Sequence, residues 1–582
     1  MRIKVSLAQI NPKSGDLSGN TGIIRSAFEK ARREGADLVA TPELCLTGYC
    51  LDEKLLANRS FLKQNKRILL DELLPATQGI AAVVGFIDFD TARRGPDGCW
   101  IRYNAAAVMQ DGKLLQIVHK RLLPSYRYFE DKRYFEAGRQ ADPVSIRVEG
   151  GEMTVGVLIC EDIWDEGYEF KPSRLLCEKG ARLLVVINAS PFVASTPGRQ
   201  DGKRFRRRDL VRRQRECTGH PIVYVNTVGA GDNGKNLIMF DGSSRAYDSQ
   251  GRLALAMPSF QKAQASVTFK DGLAEPVEPP KFEREQEIFE ALVLGVGDYC
   301  RKLGFERVIE PISGGIDSAL GAVIACQAMG PENVKLYNLP TRFNSRATRD
   351  AAAELARNLG AEYKVLPIEE MYETVCRQFE EHAHPIQRSV TRENAQSRLR
   401  GLVMMMESND SGALLLSNGN ATEIALGYAT LYGDMAGGLA VLGDLTKPDV
   451  YRVSHYVNRR FGREVIPNSI LQAVPSAELA EGQSDPFEYD VVGPVVEDCV
   501  ERTYSPGELV ELFQKRELDP NQYPEDVYDR YDAESFERLC RHLFGLLNRS
   551  VFKRLQGAPI IAVSDRAFGF DLRETLINGW EG

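Results

Sequence analysis

The sequence has no long hydrophobic run, and histidine is scarce. The 582 residues include six histidines, and uninterrupted apolar stretches are short, as at Leu183–Ile187, whereas a transmembrane helix needs about 20 apolar residues. The first residues, MRIKVSLAQI, alternate in polarity as a strand does and lack the apolar centre of a secretion signal. We therefore expect a soluble protein without membrane contacts that works in the cytoplasm.

Cysteine is present but unclustered. The eleven cysteines form no C-x-x-C pair and lie near no group of histidines, which excludes the usual patterns of zinc sites and disulfide frameworks. His382 and His384 lie in a polar segment and are not expected to bind a metal. The net charge of -8 argues against nucleic acid as the main partner.

Strands and helices alternate through the first half of the chain. Apolar strands interleaved with helices predict sheets that are covered by helices. The predicted strands are Ile3–Ile10, Leu38–Thr41, Ala81–Phe89, Tyr103–Gln110, Leu114–His119, Thr154–Cys160, Arg182–Asn188 and Pro221–Val228, and the helices include Gly22–Glu34 and Ser173–Lys179.

A proline-rich segment separates this region from a second pattern. Asp271–Phe282 holds three prolines and no periodicity, which indicates a linker or an arm wrapped on the preceding domain. The rest follows the βαβ rhythm of a doubly wound sheet. Its predicted elements are a helix at Glu283–Leu303, a strand at Arg307–Ile312, a helix at Ser318–Met329, a strand at Val334–Leu339 and a helix at Ser345–Leu359.

Three chemically active side chains follow strands in the first half. Glu43 lies in TPELCLTGY, Lys120 in HKRLLPSY and Cys160 in GVLICEDIW. The ends of strands are where α/β sheets hold their sites. A cysteine attacks an amide when a base takes its proton and a cation or backbone N–H groups stabilise the oxyanion. The three segments therefore predict an amide-hydrolysing site that needs no histidine.

The three segments together resemble the nitrilase (carbon–nitrogen hydrolase) superfamily over roughly residues 1–265. The resemblance implies that Glu43 is the general base, that Lys120 supports the tetrahedral intermediate and that Cys160 is the nucleophile. It further implies a glutamine pocket lined by Tyr126, by Glu161 through its N–H and by Ser190. The family often has a second glutamate after the lysine, where this chain has Asp131. Either Asp131 or Glu130 fills that supporting role.

A glycine-rich turn marks the second half. Residues 307–320 read RVIEPISGGIDSAL, a strand, a turn and a helix. The two glycines allow successive N–H groups to point inward and hold an anion, and the helix N-terminus adds positive charge. This turn resembles the loop of the ATP pyrophosphatase family. A near match to a P-loop at Gly229–Asn236 lacks the final Ser or Thr and precedes a strand-like segment, so we interpret it as an ordinary loop.

Further segments resemble the NAD synthetases, and the whole chain resembles the family of glutamine-dependent NAD⁺ synthetases. They are LPTRFNSRATRDAA, RENAQSRLRG, SNGNATEIALGYATLYGDMAGG, LGDLTKPDVY, PSAELAEGQSD and SDRAFG. The resemblance implies ATP binding by Pro311, Ile312, Ser313, Gly314, Gly315, Ile316, Asp317, Ser318, Asn418, Lys447 and Ser476, deamido-NAD⁺ binding by Asn394, Arg398, Glu423 and Lys553, and Mg²⁺ binding by Asp317 and Glu423.

The chain departs from the family at three places. Pro311–Ile312 stands where the family frequently has glycine before the serine loop, and Asn418 stands where it often has threonine. The segment Leu471–Val474 has no lysine where one is usual. The sequence therefore does not predict one adenosine contact and one phosphate contact that are usual in the family.

The resemblance implies an α/β protein of two domains. Residues 1–268 are expected to form an α/β/β/α amidase sandwich, 269–282 a linker, and 283–582 a doubly wound, Rossmann-like synthetase domain. The implied reaction amidates deamido-NAD⁺ to NAD⁺ through an acyl-adenylate, with ATP, Mg²⁺ and ammonia that glutamine supplies internally. The expected partners are small molecules and, in a homo-oligomer, further copies of the chain.

Two other features have simpler interpretations. The segment Arg199–Arg215 holds nine basic residues in seventeen, and we interpret it as a helix with a basic face at a subunit interface or near a carboxylate ligand. Met404–Met406 is expected to be core packing.

Two alternative functions would require different residues in the sequence. Another ATP-dependent amidotransferase, such as GMP or asparagine synthetase, would need a glycine-flanked cysteine with a histidine partner, or a cysteine at position 2, which is Arg2 here. A non-catalytic nucleotide-binding module would not need the five side chains found here together, which are Glu43, Lys120, Cys160, Asp317 and Glu423.

Overall fold

The computed structural model describes residues 1–49, 52–569, 572–577 and 580. The chain divides into two compact units. Unit 1 comprises Met1–Gly234 and Ile238–Phe282, and unit 2 comprises Lys235–Leu237 and Glu283–Gly582.

The chain up to residue 270 contains the elements of a layered α/β structure. The strands are β1 (Arg2–Gln9), β2 (Leu38–Ala40), β3 (Ala81–Arg94), β4 (Trp100–Gln110), β5 (Lys113–His119), β6 (Val144–Val148), β7 (Gly151–Ile159), β8 (Leu183–Asn188), β9 (Ile222–Asn226), β10 (Val228–Asp232), β11 (Leu237–Asp241), β12 (Arg245–Tyr247), β13 (Leu253–Ala256) and β14 (Ala263–Lys270). The helices are α1 (Leu17–Arg33), α2 (Glu53–Leu56), α3 (Arg59–Ile68), α4 (Asp131–Tyr134), α5 (Pro172–Glu178) and α6 (Lys203–Thr218).

Two six-stranded mixed sheets form the centre of unit 1. Their strand orders are β14–β1–β2–β3–β4–β5 and β13–β12–β9–β8–β7–β6. One apolar core joins their inner faces and includes Val5 and Leu7 of β1, Val157 of β7 and Val185 of β8. Alternate residues point to opposite faces of a strand, so the outer faces need their own cover.

Helices cover both outer faces. Phe28 of α1 and Leu62 of α3 pack on the first sheet, and Leu176 of α5 and Leu210 of α6 pack on the second. Unit 1 is therefore the predicted four-layer α/β/β/α sandwich. The segment Asp271–Phe282 lies on it as an arm, since the Val277 N–H donates to the Leu253 carbonyl at 2.8 Å.

The rest of the chain contains mostly helices. They are α7 (Arg284–Leu303), α8 (Ile316–Met329), α9 (Arg346–Leu359), α10 (Glu369–His382), α11 (Ser389–Ser411), α12 (Ala421–Leu426), α13 (Lys447–Phe461), α14 (Asn468–Leu471), α15 (Tyr489–Glu497), α16 (Pro506–Lys515), α17 (Val527–Arg530), α18 (Ala533–Arg549) and α19 (Val551–Arg554). The strands are β15 (Val308–Pro311), β16 (Val334–Asn338), β17 (Glu362–Val365), β18 (Leu414–Ser417), β19 (Leu439–Ala440) and β20 (Ile561–Ala562).

A five-stranded parallel sheet forms the core of unit 2. Its strand order is β17–β16–β15–β18–β19, with parallel pairing throughout. Helices α10 and α11 pack on one face through Tyr372 and Leu399, while α8 contacts β15 and β16. The strand order reverses between β15 and β18, the position where doubly wound sheets bind ligands. The predicted fold class is confirmed for both units.

Some local predictions were wrong or incomplete. Helix α1 begins at Leu17, five residues before the predicted Gly22, because the Asp16 side chain accepts the Gly19 N–H and caps the helix. Met404 is buried, as predicted, but Met405 and Met406 are 39% and 62% exposed. The near match to a P-loop, residues 229–236, starts inside β10, ends just before β11 and begins no helix, so it is partly strand and not wholly the predicted loop. No helix in the described ranges has the length and apolarity needed to span a bilayer.

Gly85 on β3 allows the close approach of the Glu43 backbone. A Cβ at Gly85 would lie 2.4 Å from the Leu44 nitrogen and 2.4 Å from the Pro42 carbonyl oxygen, far inside van der Waals contact. No side chain larger than hydrogen fits here unless the backbone around Glu43 moves.

We expect Gly85→Ala to destabilise unit 1 by about 1–3 kcal/mol, as overpacking does, and to reduce amidase activity because Glu43 shifts. The matched control is Gly22→Ala in α1, where a Cβ meets nothing within 4 Å and the helix gains about 0.5–1 kcal/mol. Urea unfolding of both variants measures the difference. Equal stability of the two variants would contradict the packing argument.

Candidate functional site

The three sequence-predicted residues of unit 1 all follow strands. Glu43 comes after β2, Lys120 directly follows β5, and Cys160 directly follows β7. All three side chains are buried. Glu43 and Lys120 leave one sheet and Cys160 leaves the other, so the site forms where the two sheets face each other.

Lys120 lies between two carboxylates. Its Nζ is 2.7 Å from Glu43 Oε1 and 2.5 Å from Asp131 Oδ2, and all three side chains are fully buried. Burial alone would lower the pKa of Lys120, but Asp131 and Glu43 hold it well above its ordinary value. The lysine is therefore a fixed positive charge.

Asp131, and not Glu130, contacts the lysine. The Tyr49 hydroxyl donates to Asp131 Oδ1 at 3.0 Å, which leaves Oδ2 for Lys120. Glu130 lies 3.5 Å from the Arg133 guanidinium instead. The shorter aspartate fits because it is the first residue of α4 and its side chain points into the core.

Glu43 is held by donors on both oxygens. Asn104 Nδ2 donates to Oε1 at 2.7 Å, and the Ala189 N–H donates to Oε2 at 2.8 Å. The sequence offered no signal for Asn104, because a single asparagine in β4 is not distinctive. These bonds fix the direction in which the carboxylate can take a proton.

Cys160 occupies a strained turn. Its φ is +46°, in the left-handed region that non-glycine residues rarely adopt, and it begins a 3₁₀ turn over Cys160–Ile163. Asp162 fixes this turn by accepting the Ile159, Arg121 and Leu122 N–H groups. Burial, and then the Glu43 charge, raise the pKa of the Cys160 thiol well above its usual value. The resting group is therefore a neutral thiol beside a carboxylate base.

Glu161 and two tyrosines form a polar wall next to Cys160. The Tyr126 hydroxyl donates to Glu161 Oε2 at 3.0 Å, and the Tyr168 hydroxyl donates to Oε1 at 3.1 Å. Burial raises the pKa of Glu161 above its ordinary value. Ser190 is buried, and its hydroxyl accepts from Arg207 Nε at 3.1 Å.

Lys203 is a residue that the sequence analysis missed. Its Nζ lies over the Trp164 ring, 4.1 Å from the centroid, a favourable position for a cation. Burial, and then Arg207, lower its pKa to about 8, whereas the charges of Cys160 and Glu161 raise it. Lys203 therefore faces the cysteine site. The only signal was the basic run Arg199–Arg215, in which Lys203 was one cation among nine.

Several other members of that basic run form ion pairs. Arg207 is buried and forms an internal ion pair with Asp241 at 2.7 Å, so the expectation of an interface or a bound carboxylate stays a prediction. Arg212 and Arg213 pair with Glu216 and Glu166 on the surface.

In unit 2 the loop Pro311–Ser318 joins β15 to α8 at the strand-order reversal. Gly314 has φ +93°, and a Cβ there would lie 2.2 Å from the Thr348 carbonyl oxygen. Ser313 and Ser318 hydroxyl oxygens are 3.3 Å apart, and the Gly315 N–H donates to Ser313 Oγ. Helix α8 begins at Ile316, two residues before the prediction, so its N-terminus faces the loop.

Two carboxylates converge on Lys447. Its Nζ is 2.5 Å from Asp317 Oδ2 and 3.3 Å from Glu423 Oε1. Burial lowers and these carboxylates raise the pKa of Lys447, with a net rise. Burial raises the pKa of Glu423 to about 7, partly opposed by Lys447. Asn420 orients Asp317 by donating to its Oδ1 at 2.9 Å.

A cavity of about 440 Å³ unites most of the predicted synthetase residues. Its lining includes the whole loop Pro311–Ser318 and the more distant Asn394, Asn418, Glu423, Lys447, Ser476 and Lys553. Lys553 Nζ donates to the Gly427 and Ala429 carbonyls at 2.7 and 2.8 Å. Thr430 donates to Asn394 Oδ1 at 2.8 Å, and Ser476 donates to the Gln483 carbonyl at 2.6 Å.

Arg398 lies apart from this cavity. It lines a neighbouring, mostly apolar groove of about 870 Å³, and the two spaces share Gly401 and Ala436. Its Nε donates to the Leu431 carbonyl at 3.2 Å.

Two family models match the chain. The one described as carbon-nitrogen hydrolase matches residues 4–271, and the one described as NAD synthase matches residues 288–539. Two curated relatives, both named glutamine-dependent NAD(+) synthetase, are 35% identical to it. The relative from Thermotoga maritima aligns over 99% of each chain, and that from Synechocystis sp. over 97% of each chain.

Solved structures give the same result. Glutamine-dependent NAD⁺ synthetase from Acinetobacter baumannii, in complex with adenosine diphosphate, is 31% identical with a TM-score of 0.73, over 100% of this chain and 99% of that chain. A glutamine-dependent NAD(+) synthetase from Cytophaga hutchinsonii has a TM-score of 0.80 at 20% identity, over 100% of this chain and 98% of that chain. The second comparison supports the fold alone.

We expect Asp131→Asn to reduce the rate of glutamine hydrolysis by about 10²–10³-fold, as the loss of an electrostatic group does, because Lys120 loses one of its two carboxylates. Glu130→Gln is the matched control and should stay within about twofold, since its carboxylate is not needed for charge compensation at the lysine. Glutamate release by each purified variant is the measurement. A larger loss in Glu130→Gln than in Asp131→Asn would overturn the assignment.

Proposed function

We propose, because the chain belongs to the glutamine-dependent NAD(+) synthetase family, that unit 1 releases ammonia from glutamine and unit 2 uses it to amidate deamido-NAD⁺ through an acyl-adenylate. The observation that carries this proposal is the occurrence in one chain of the buried Glu43–Lys120–Cys160 arrangement and the loop Pro311–Ser318 at the sheet reversal. The domains proposed for the two half-reactions are residues 1–268 and 283–582, with 269–282 as linker. The alternatives based on other amidotransferases or a non-catalytic module find no support in relatives that align over nearly the whole chain.

In the first half-reaction Cys160 attacks the side-chain amide of glutamine. Glu43 accepts the thiol proton as the Sγ–carbon bond forms, and it returns the proton to the departing nitrogen, which leaves as ammonia. Lys120 and the Glu161 N–H stabilise the oxyanion. Water then cleaves the thioester, with Glu43 again as base, and glutamate leaves.

The wall beside Cys160 suits a free amino acid. Glutamine carries a positive amino group and a negative carboxylate on the same carbon. Glu161, with Tyr126, takes the amino group, and Lys203 takes the carboxylate; Ser190 contributes to the pocket wall. The 4.1 Å separation of Lys203 Nζ from the Trp164 ring supports this, because the ring holds the lysine without using its charge in an ion pair.

In the second half-reaction the nicotinate carboxylate of deamido-NAD⁺ attacks the α-phosphorus of ATP. Pyrophosphate leaves and an acyl-adenylate forms; ammonia then attacks the acyl carbon and AMP leaves. The loop Pro311–Ser318 binds the phosphates through its N–H groups and the α8 N-terminus. Asn418, Lys447 and Ser476 complete the ATP site.

The chemistry of Asp317 and Glu423 fits Mg²⁺. Their carboxylates both line the cavity and both contact the Lys447 ammonium, and hard divalent cations prefer such oxygen donors. When bound there, the metal ion would neutralise phosphate charge. Lys447 supplies the same kind of charge from the protein side.

The dinucleotide site combines the cavity with its neighbouring groove. Asn394, Glu423 and Lys553 line the cavity, and Arg398 lines the groove. A dinucleotide has two nucleoside halves, and two neighbouring spaces that share Gly401 and Ala436 suit it. The complex of the Acinetobacter baumannii relative with adenosine diphosphate supports nucleotide binding at this fold.

We further propose that the enzyme works in the cytoplasm as a homo-oligomer and passes ammonia between its sites without release. Leu402, Met405 and Met406 on α11 are exposed, and an oligomer interface would cover them. Internal passage would keep ammonia from being protonated and diluted in water.

Cys160→Ala should lower glutamine-dependent NAD⁺ formation at least about a thousandfold, as removal of a catalytic nucleophile does, while ammonium-dependent formation stays near wild type. Asp317→Asn should abolish synthesis with both nitrogen donors and leave glutamine hydrolysis measurable. NAD⁺ formation with deamido-NAD⁺, Mg-ATP and either glutamine or ammonium is the measurement. If Cys160→Ala still used glutamine at the wild-type rate, the assignment of the amidase site would be wrong.

Lys203→Met should raise the KM for glutamine about 10- to 100-fold, the size of one charge-assisted hydrogen bond, with a smaller effect on kcat. Lys203→Arg is the matched control, because it keeps the positive charge, and it should restore most of the affinity. Arg213→Met, on the surface of the same helix, should leave the KM unchanged. An unchanged KM in Lys203→Met would exclude the carboxylate contact.

A further inference from the structure

A carboxyl group lies buried beneath the nucleotide loop of unit 2. Glu310 occupies the central strand β15, one residue before the loop begins, and its side chain is 0% exposed. The strand alternates, so Ile309 faces α10 and α11 in the apolar core while Glu310 faces the opposite side. No basic side chain in the described part of the chain forms an ion pair with Glu310.

Glu310 is linked to the cavity by a hydrogen bond with Asn418. This residue directly follows β18, the neighbouring strand across the reversal, and it lines the cavity. Its Nδ2 donates to Glu310 Oε1 at 2.7 Å. Glu310 does not line the cavity, so any effect it has on a ligand passes through Asn418 or through charge.

Two acceptor atoms of this pair have no partner. Glu310 Oε2 and Asn418 Oδ1 are buried and make no hydrogen bond among the described residues. When Glu310 is ionised, the only hydrogen-bond donors in this pair are the two N–H groups of the Asn418 amide. A proton on Glu310 adds a further donor, whereas an ionised Glu310 would bury a charge without a counter-ion.

Helix α8 packs directly on the pair. A Cβ at Gly321 would lie 2.2 Å from Asn418 Oδ1 and 2.5 Å from Glu310 Oε1. Glycine is therefore the residue that lets α8 approach. The pair lies where β15, β18 and α8 meet, and all three elements border the phosphate loop.

We propose that Glu310 is a positioning residue for ATP, which as a neutral carboxylic acid holds the Asn418 carboxamide in place at the floor of the nucleotide site. The proposal rests on the proposed function, since it takes the loop Pro311–Ser318 to be the ATP site. It adds a residue outside the cavity to those that determine nucleotide affinity.

The charge state of Glu310 has a consequence for ATP binding. Burial raises the pKa of Glu310 to about 8, and the Asn418 hydrogen bond opposes this only in part. From α8 the Cys326 thiol also faces the group, and burial, with Glu310, raises the pKa of that thiol to about 12. Glu310 is thus the member of this cluster that ionises between pH 7 and pH 9.

Ionisation of Glu310 weakens the binding of ATP. Below pH 8 Glu310 is neutral and Asn418 is held. As the pH rises through 8, a negative charge appears beneath a loop that has to bind polyphosphate, so ATP affinity falls. At pH 9, one unit above the pKa, about a tenth of the protein carries a neutral Glu310. If the neutral form alone binds ATP well, the affinity for ATP falls about tenfold.

The experiment compares wild type, Glu310→Gln, Glu310→Leu and Asn418→Thr by calorimetric titration with α,β-methylene-ATP and Mg²⁺ at pH 7 and pH 9. Glu310→Gln should match wild type at pH 7 within twofold and lack the loss at pH 9, because glutamine mimics the neutral acid. Glu310→Leu and Asn418→Thr should each weaken binding at pH 7 about tenfold. A double variant that combines Glu310→Leu with Asn418→Thr should bind no more weakly than either single variant. Cys326→Ala is the control and should behave as wild type at both pH values.

Three results would overturn the proposal: unchanged binding in Glu310→Leu, equal affinity of wild type at both pH values, or parallel losses at pH 9 in wild type and Glu310→Gln. If Glu310→Leu does not fold, the comparison of wild type with Glu310→Gln decides. If wild type neither binds the analogue nor forms NAD⁺ with ammonium, the proposed function itself fails. If wild type does both and the variants are indifferent, only the role of Glu310 fails.

Discussion

A buried lysine shared by two carboxylates is the interaction on which each unit depends. Lys120 lies between Glu43 and Asp131, and Lys447 lies between Asp317 and Glu423. A buried ammonium or carboxylate alone would be strongly unfavourable, so the members of each set must be placed together. In unit 1 all three side chains are fully enclosed, while Asp317 and Glu423 each remain 18% exposed. The first arrangement is fixed, and the second is open to a solute.

The carboxyl ends of strands bring these groups together. Glu43, Lys120 and Cys160 are far apart in sequence, yet each follows a strand of unit 1. Asp317 and Asn418 follow the two strands on either side of the reversal in unit 2. Backbone N–H groups at strand ends and helix starts are not used up by the sheet, so they remain for ligands. The fold therefore positions the reactive groups, and the loops need only hold them in the right direction.

Alternation predicted β1–β5 and β7–β9 of unit 1, and the motifs predicted the side chains that follow β2, β5 and β7. They could not decide between Glu130 and Asp131, because the choice depends on Tyr49, which is 82 residues away from Asp131. Lys203 was hidden in a basic run, since a sequence does not tell a cation over a ring from a cation in water. The pairing of Glu310 with Asn418 spans 108 residues. Met405 and Met406 were misassigned because a hydrophobic run on a helix must place some members away from the core.

The neutral state of the Cys160 thiol also affects its chemistry with small oxidants. Peroxide and disulfides react with the thiolate form, and burial with the Glu43 charge holds the pKa of this thiol well above its usual value. In the absence of an amide the sulfur is therefore a poor target for oxidation. Redox-sensing cysteines have the opposite design, with exposed sulfur and a lowered pKa. In the reaction proposed above, the buried Glu43 carboxylate that activates Cys160 for its substrate also keeps the resting thiol protonated and so less reactive toward oxidants.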